Sequence, residues 1–219
     1  MPISEHDFTQ ACHELHSRWA QLRGPNDWED VKVLQDHGKT YLRITKRLAS
    51  PSPNSQPASI TETEDEILED DNESLQCPPI PKPEITLHHD ILLSPSYQVP
   101  VLYVTPSTPL PPQTSIPSLL VPRPYRAQIQ DVGVMGALSM TEHPVSGAPA
   151  YFLHPCRTEE AMGAVSSAVG GGSVEPLEYI CLWLGVMGGS VGLYLPLELA
   201  EEYRGREAMG SLMEGQGRD

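Results

Sequence analysis

Cys156 stands in the tripeptide His154-Pro155-Cys156, after the apolar run Ala150-Tyr151-Phe152-Leu153 and before the charged Arg157, Glu159 and Glu160. A thiol in this position suits acyl transfer, because its thiolate is nucleophilic and the thioester it forms stays reactive toward amines. Passing an acyl group between two large partners requires a sulfur that both can reach. A strand end or loop provides that; a core helix does not. Pro155 fixes its own backbone and has no N–H for a ladder, so the extended run stops there. The charges that follow carry the chain into water, and Arg157 with the first amides of the next helix would favour the thiolate.

The other chemistry-bearing residues read more plainly. Cys12 and Cys181 lie in helical patterns among large apolar residues and are expected in the core. Cys77 has no evident role. Cys12 and His16 share a helix face, with His6 and His13 nearby, but no second ligand pair is spaced for a tetrahedral zinc site. His154 is expected to bond backbone and shape the turn, ahead of proton transfer. His143 reads as a turn former and Tyr97 as a strand residue. A cysteine hydrolase using Cys156 with His154 or His143 would need that histidine oriented by Asp or Asn, and Glu142 is poorly placed for this.

The elements that position Cys156 can be read along the chain. Phe8, Cys12, Leu15, Trp19 and Leu22 make one stripe of an amphipathic helix, capped by Ser4 and stopped by Gly24-Pro25. Trp28, Val31 and Val33, then Tyr41, Leu42 and Ile44, predict a hairpin turning at Asp36-His37-Gly38-Lys39. Strands follow over Glu84–Leu93 and Gln98–Val104, joined by Ser94-Pro95-Ser96. Residues 105 to 124 hold seven prolines and read as a loop. Thr158–Val169 reads as a helix stopped by Gly170-Gly171-Gly172, and Pro176 opens another through about Met187. This order describes an α+β layer built on an antiparallel sheet.

Composition bounds the rest. The chain has 219 residues, 39% of them hydrophobic, with 23 prolines, about twice ordinary proline usage. That points to one domain, residues 1–219, diluted by loop sequence. Residues 49 to 83 are rich in Pro, Ser and acid and cannot bury enough surface to offset ordering entropy, so they read as a disordered insertion. The formal charge is −15, and the eight carboxylates between Glu62 and Glu73 account for about half of it. Phosphate backbones repel such a surface, so nucleic acid is excluded as a partner and basic protein surfaces are favoured. The N-terminal residues lack the basic and apolar regions of a secretory signal, which sets a reducing cytosol as the default. Tyr179 to Leu197 is uncharged for nineteen residues, but its glycines, Pro196 and acidic flanks favour a buried helix over a membrane span.

From residue 97 to 200 the sequence resembles the autophagy-related protein 10 family, the conjugating enzymes of the autophagy ubiquitin-like system. Four stretches carry the resemblance: Ser96-Tyr97-Gln98-Val99-Pro100-Val101-Leu102-Tyr103; Glu142-His143-Pro144; Tyr151-Phe152-Leu153-His154-Pro155-Cys156-Arg157-Thr158; and Tyr179-Ile180-Cys181-Leu182-Trp183-Leu184, leading to Val191-Gly192-Leu193. The His-Pro-Cys tripeptide alone is weak, but the four blocks in this order are specific. The sister autophagy conjugating enzyme, which serves a lipid acceptor, also bears His-Pro-Cys. It is a poorer match, because the Ser-Tyr-Gln-Val-Pro-Val-Leu-Tyr strand belongs to the protein-acceptor branch.

The resemblance implies a ubiquitin-conjugating-enzyme-like fold, with a curved antiparallel four-stranded sheet packed by helices, and no cofactor. It implies that an activating enzyme (autophagy-related protein 7) passes a modifier (autophagy-related protein 12) to Cys156. A lysine of autophagy-related protein 5 would then attack the thioester. The setting implied is cytoplasmic, at the periphery of the autophagosome assembly site. Ordinary ubiquitin-conjugating enzymes set His-Pro-Asn before the cysteine, and that Asn helps the oxyanion. Here the asparagines are only Asn26, Asn54 and Asn72, all far upstream. The donor must be something else: backbone N–H groups at residues 157 to 159, the Tyr97 hydroxyl, or His143, whose His143-Pro144-Val145 resembles a His-Pro-Asn that lost its Asn. Slow intrinsic turnover, rescued by the partner complex, is the expected consequence.

Overall fold

The computed structural model describes residues 2–22, 26–49, 84–112, 114–120, 138–168 and 174–200. Helix α1 spans Glu5–Trp19 and is capped by Ser4, whose side chain accepts the Asp7 N–H. Its apolar stripe buries Phe8, Ala11, Cys12 and Leu15. Strands β1 (Trp28–Asp36) and β2 (Lys39–Ala49) form the expected hairpin. Its tip, His37-Gly38, has φ of 47° and 75°, the mirror-image turn whose twist matches paired strands and which glycine adopts without strain. Strand β3 covers Glu84–Leu93, as expected, and β4 covers Pro100–Pro106. In the β3–β4 turn, Ser94 and Gln98 bond through Gln98 N–H to Ser94 O. Gln98 takes a φ of 52°, so the turn reaches two residues further than the strand pattern predicts.

Two strands are additional to the expected four. β5 (Leu138–Glu142) and β6 (Pro149–Leu153) complete a six-stranded antiparallel sheet of order β1-β2-β3-β4-β6-β5. The Ala150–Leu153 run is β6. Its partner β5 is five residues long, too short for its alternation to stand out in sequence. The 105–124 segment is likewise more than loop: β4 runs into it and α2 (Ile116–Leu120) lies within it. Ala49 closes β2 rather than opening the insertion. The rest of that insertion, with Cys77 and the Glu62–Glu73 run, lies outside the described residues, as do Gly24-Pro25 and Gly170-Gly171-Gly172.

The C-terminal helices are α3 (Thr158–Ala168) and α4 (Pro176–Met187), the latter followed by a 3₁₀ turn at Gly188–Val191. Pro176 opens α4, and Glu175 and Glu178 satisfy each other's backbone amides in a capping box. α4 packs on α1, which buries Ile180, Trp183 and Leu184 against one face of the sheet, at about 1.5–3 kcal/mol for each large side chain. Cys12 and Cys181 are both in this core. Lys46 is buried as well, its Nζ donating to Gly192 O at 2.7 Å. No described helix is long and apolar enough to cross a membrane; the uncharged Tyr179–Leu197 stretch is α4 and the turn after it.

The β5–β6 turn lies on the opposite face of the sheet. His143 N–H donates to Ala148 O and Gly147 N–H to His143 O, which closes a compact loop. This loop folds the His143 ring down onto β2, β3 and β4.

Candidate active site

β6 ends at Leu153, and Pro155–Arg157 form a single 3₁₀ turn that runs directly into α3. Cys156 is the middle residue of that turn and its thiol is exposed. His154 is the N-cap: its Nδ1 accepts the Cys156 N–H at 3.1 Å. Pro155 occupies the first turn position, where no N–H is needed. The local sequence thus makes its own pedestal. A histidine acceptor stands before a proline, and the cysteine amide is tied back so that the side chain points outward.

His154 acts here as a cap, and Nδ1 is not available for proton transfer while it holds the Cys156 amide. Its ring has two aromatic neighbours. Tyr97, 45% exposed at the β3–β4 turn, meets it edge-on at 6.2 Å, and Phe152 meets it tilted at 5.9 Å. The structure therefore brings Tyr97 to the cysteine's cap, although the two are far apart in sequence. Tyr97 lies in the turn and not in a strand. Of the amides proposed as oxyanion donors, that of Thr158 already donates to Pro155 O. The Arg157 side chain lies outside what is described. Asn26 accepts the Trp28 N–H at the start of β1; Asn54 and Asn72 lie outside the described residues.

His143 is a different case. It is 2% exposed, and its Nδ1 accepts from the Val145 and Ser146 amides at 3.3 and 3.2 Å. With Nδ1 an acceptor, the ring proton belongs on Nε2, which lies 3.1 Å from Asp90 Oδ2. That contact is off the line of a well-formed hydrogen bond and is best counted as electrostatic attraction. Asp90 in turn receives Arg43 Nε and Nη2, each at 2.7 Å. Burial pushes the Asp90 carboxyl up, and the Arg43 hydrogen bonds with the His143 contact more than reverse this, leaving it below the usual carboxylate value. Both His143 nitrogens are thus engaged away from the thiol, and His143 leaves the set of oxyanion donors.

Arg43 and Asp90 were not singled out by sequence, nor were Tyr103 and Phe152, whose rings stack at 5.9 Å and 17°. One weak signal was available: Arg43 sits between Leu42 and Ile44 and Asp90 directly before Ile91-Leu92-Leu93 on neighbouring strands, where a charge drawn into the fold needs a partner. Among the described residues no group of three or more His, Cys, Asp and Glu is gathered that could hold a metal ion. A hydrolytic triad has no support either. Of the carboxylate–histidine pairs among the described residues, Asp90–His143 is spent internally and Asp36–His37 lies at the exposed tip of the β1–β2 hairpin.

An exposed thiol on a capped turn at the end of a sheet strand, in an α+β protein, is an arrangement able to carry an acyl group as a thioester, as ubiquitin-conjugating-type enzymes do. A family model, autophagocytosis associated protein, active-site domain, matches residues 7–198. The chain belongs to that family. It is similar to the ubiquitin-like-conjugating enzyme ATG10 of Gibberella zeae, 26% identical over 90% of this chain and 96% of the relative. It is similar also to the human ubiquitin-like-conjugating enzyme ATG10, 28% identical over 91% and 93%, and to that of Arabidopsis thaliana, 29% identical over 64% and 70%. The protein is an autophagy ubiquitin-like conjugating enzyme, a transferase of ubiquitin-like protein.

Proposed function

We propose that Cys156 is the thioester-forming nucleophile, that the modifier is autophagy-related protein 12, and that the acceptor is a lysine of autophagy-related protein 5. The observation that carries this is the exposed Cys156 on a turn capped by His154, in a chain matched over residues 7–198 by an active-site-domain family. The activating enzyme, autophagy-related protein 7, presents the modifier's C-terminus as its own thioester. The Cys156 thiolate attacks that carbonyl and the activating enzyme's thiolate leaves. The acceptor lysine, as free amine, then attacks the Cys156 thioester. Cys156 leaves as thiolate, the nitrogen loses one proton, and an isopeptide bond remains. Tyr97, whose ring rests on the cysteine's cap, is the side-chain candidate for donating to the oxyanion. We place the reaction in the cytoplasm, at the periphery of the autophagosome assembly site.

Incubation with activating enzyme, ATP and modifier tests the assignment by gel shift. Wild type should give a thiol-sensitive adduct, Cys156→Ser a stable one and Cys156→Ala none; an adduct on Cys156→Ala ends the proposal. Adding the acceptor protein to one arm and aminophospholipid vesicles to another decides the acceptor. Discharge onto lipid would move the enzyme to the sister, lipid-acceptor branch.

A further inference from the structure

We propose that the buried Asp90 and His143, with the part-buried Arg43, form an anchor that positions the Cys156 segment, acting through the Tyr103–Phe152 stack on His154. The inference rests on Cys156 being the thioester-forming residue.

β6 pairs with the edge strand β5 through five register pairs, but backbone pairing ties it only weakly to the sheet's interior. β2 and β3 are joined through nine register pairs, from Tyr41↔Leu92 to Ala49↔Glu84, whereas β4 and β6 share only Tyr103↔Phe152 and Val104↔Tyr151. The strand that delivers Cys156 is therefore the least secured in the middle of the sheet, and side chains supply the remaining restraint. Asp90 is fixed in the long β3 by two Arg43 hydrogen bonds in a planar fork. It holds the His143 ring, and the same ring holds the β5–β6 turn through two amides. His143 lies edge-on to Tyr103 at 5.3 Å and to Tyr41 at 6.3 Å. Tyr103 stacks on Phe152, Phe152 meets His154, and His154 accepts the Cys156 amide. Every link from the sheet's centre to the cysteine is a defined contact.

A buried charge pair is a poor device for stability alone, since desolvation offsets much of its Coulombic gain and apolar residues of the same shape often do as well. It is a good device for fixing geometry. The reacting carbonyl, the sulfur and an attacking lysine must meet within a few tenths of an ångström, and a misplacement of about 1 Å costs about a hundredfold in rate. Asp90, Arg43, His143, Tyr103 and Phe152 are positioning residues: they act through contacts that end at the Cys156 amide.

A double-variant cycle on the full chain tests this. Enzyme is loaded with modifier, and single-turnover transfer to the acceptor protein is measured per mole of thioester, so that unfolded molecules are not counted. Asp90→Asn and Phe152→Leu should each slow transfer at saturating acceptor by about tenfold, with the half-saturating acceptor concentration unchanged. The double variant should be no slower than the slower single, because both break one series of contacts. Asp90→Asn within twofold of wild type, or single effects that multiply in the double, overturns the proposal. Should Asp90→Asn fail to fold, His143→Asn takes its place in the cycle: its Oδ1 substitutes for Nδ1 toward the turn amides while the Asp90 contact is lost. Cys156→Ala run alongside separates the two claims. If it still loads, the assignment of Cys156 falls; if it does not load and the cycle is flat, only the anchor falls.

Discussion

The molecule contains two His-Pro turns built on one plan, and they serve opposite ends. In His143-Pro144-Val145 and in His154-Pro155-Cys156, Nδ1 of the histidine accepts the amide of the residue two positions on. Local sequence dictates this much: a histidine before a proline is held extended, and its ring nitrogen reaches the next free N–H. The surroundings make the difference. His143 is folded beneath its turn onto Asp90, with both nitrogens engaged. His154 stays partly exposed and carries an exposed cysteine at the third position. One turn locks a loop to the sheet and the other presents a thiol to solvent, so motif resemblance alone does not say which histidine belongs to the chemistry.

The largest effect should come from breaking the buried turn. Asp90→Ala leaves Arg43 and His143 without their carboxylate and should destabilise by about 3–5 kcal/mol. His143→Ala removes the acceptor of two amides and opens a cavity, at about 2–4 kcal/mol. Urea unfolding of both variants measures this. Losses below about 1 kcal/mol for both would make the buried turn as dispensable as an exposed one, and the contrast would vanish.

This buried turn also marks where sequence stops being informative. α1, the β1–β2 hairpin, β3, α3 and α4 were legible because their patterns are local: a four-and-three stripe, a turn glycine, an extended run bounded by turn residues, a first-turn proline. The exposed cysteine at a strand end was equally legible, since Pro155 and the charges after it act on adjacent residues. The Arg43–Asp90–His143 anchor was not. Its members lie 47 and 53 positions apart and meet only because β2, β3 and the β5–β6 turn are brought together by the sheet. β5 escaped for a related reason. Its order comes from pairing with β6, and five residues carry little pattern of their own.

A third histidine sharpens the comparison. His89, on the core face of β3, is fully buried. Neither of its ring nitrogens makes a well-formed hydrogen bond among the described residues. Burial, then the Lys46 ammonium, pushes its pKa down to about 3, with the Ile44 backbone and Asp90 opposing. The unfolded chain protonates this group near 6.5, so between about 6.5 and 3 the unfolded state binds the extra proton. Stability should therefore fall as pH falls through that window, at up to about 1.4 kcal/mol per unit. His88, also lowered by burial, adds to it in the same direction. Asp90 contributes only lower down, below the usual carboxylate value. Unfolding free energies from urea titrations at pH 7 and 4.5 should differ by about 2.5 kcal/mol, and His89→Leu should remove most of the difference. An unchanged difference in that variant would assign the acid sensitivity elsewhere.

The smallest effect belongs to the exposed turn, and it is the most discriminating. His154→Ala removes one cap and should cost about 1 kcal/mol. His154→Asn places Oδ1 near where Nδ1 stands, keeps the acceptor for the Cys156 amide, and should come within about 0.5 kcal/mol of wild type. Stability and transfer should then part company. Asn restores the cap but not the ring that Phe152 and Tyr97 press against, so its transfer rate should lie between those of Ala and wild type. Full recovery would mean that the cap alone positions Cys156 and that the aromatic series behind it is idle. A rate as low as that of Ala would mean that the ring matters more than the acceptor, and the likeness between the two His-Pro turns would end at geometry.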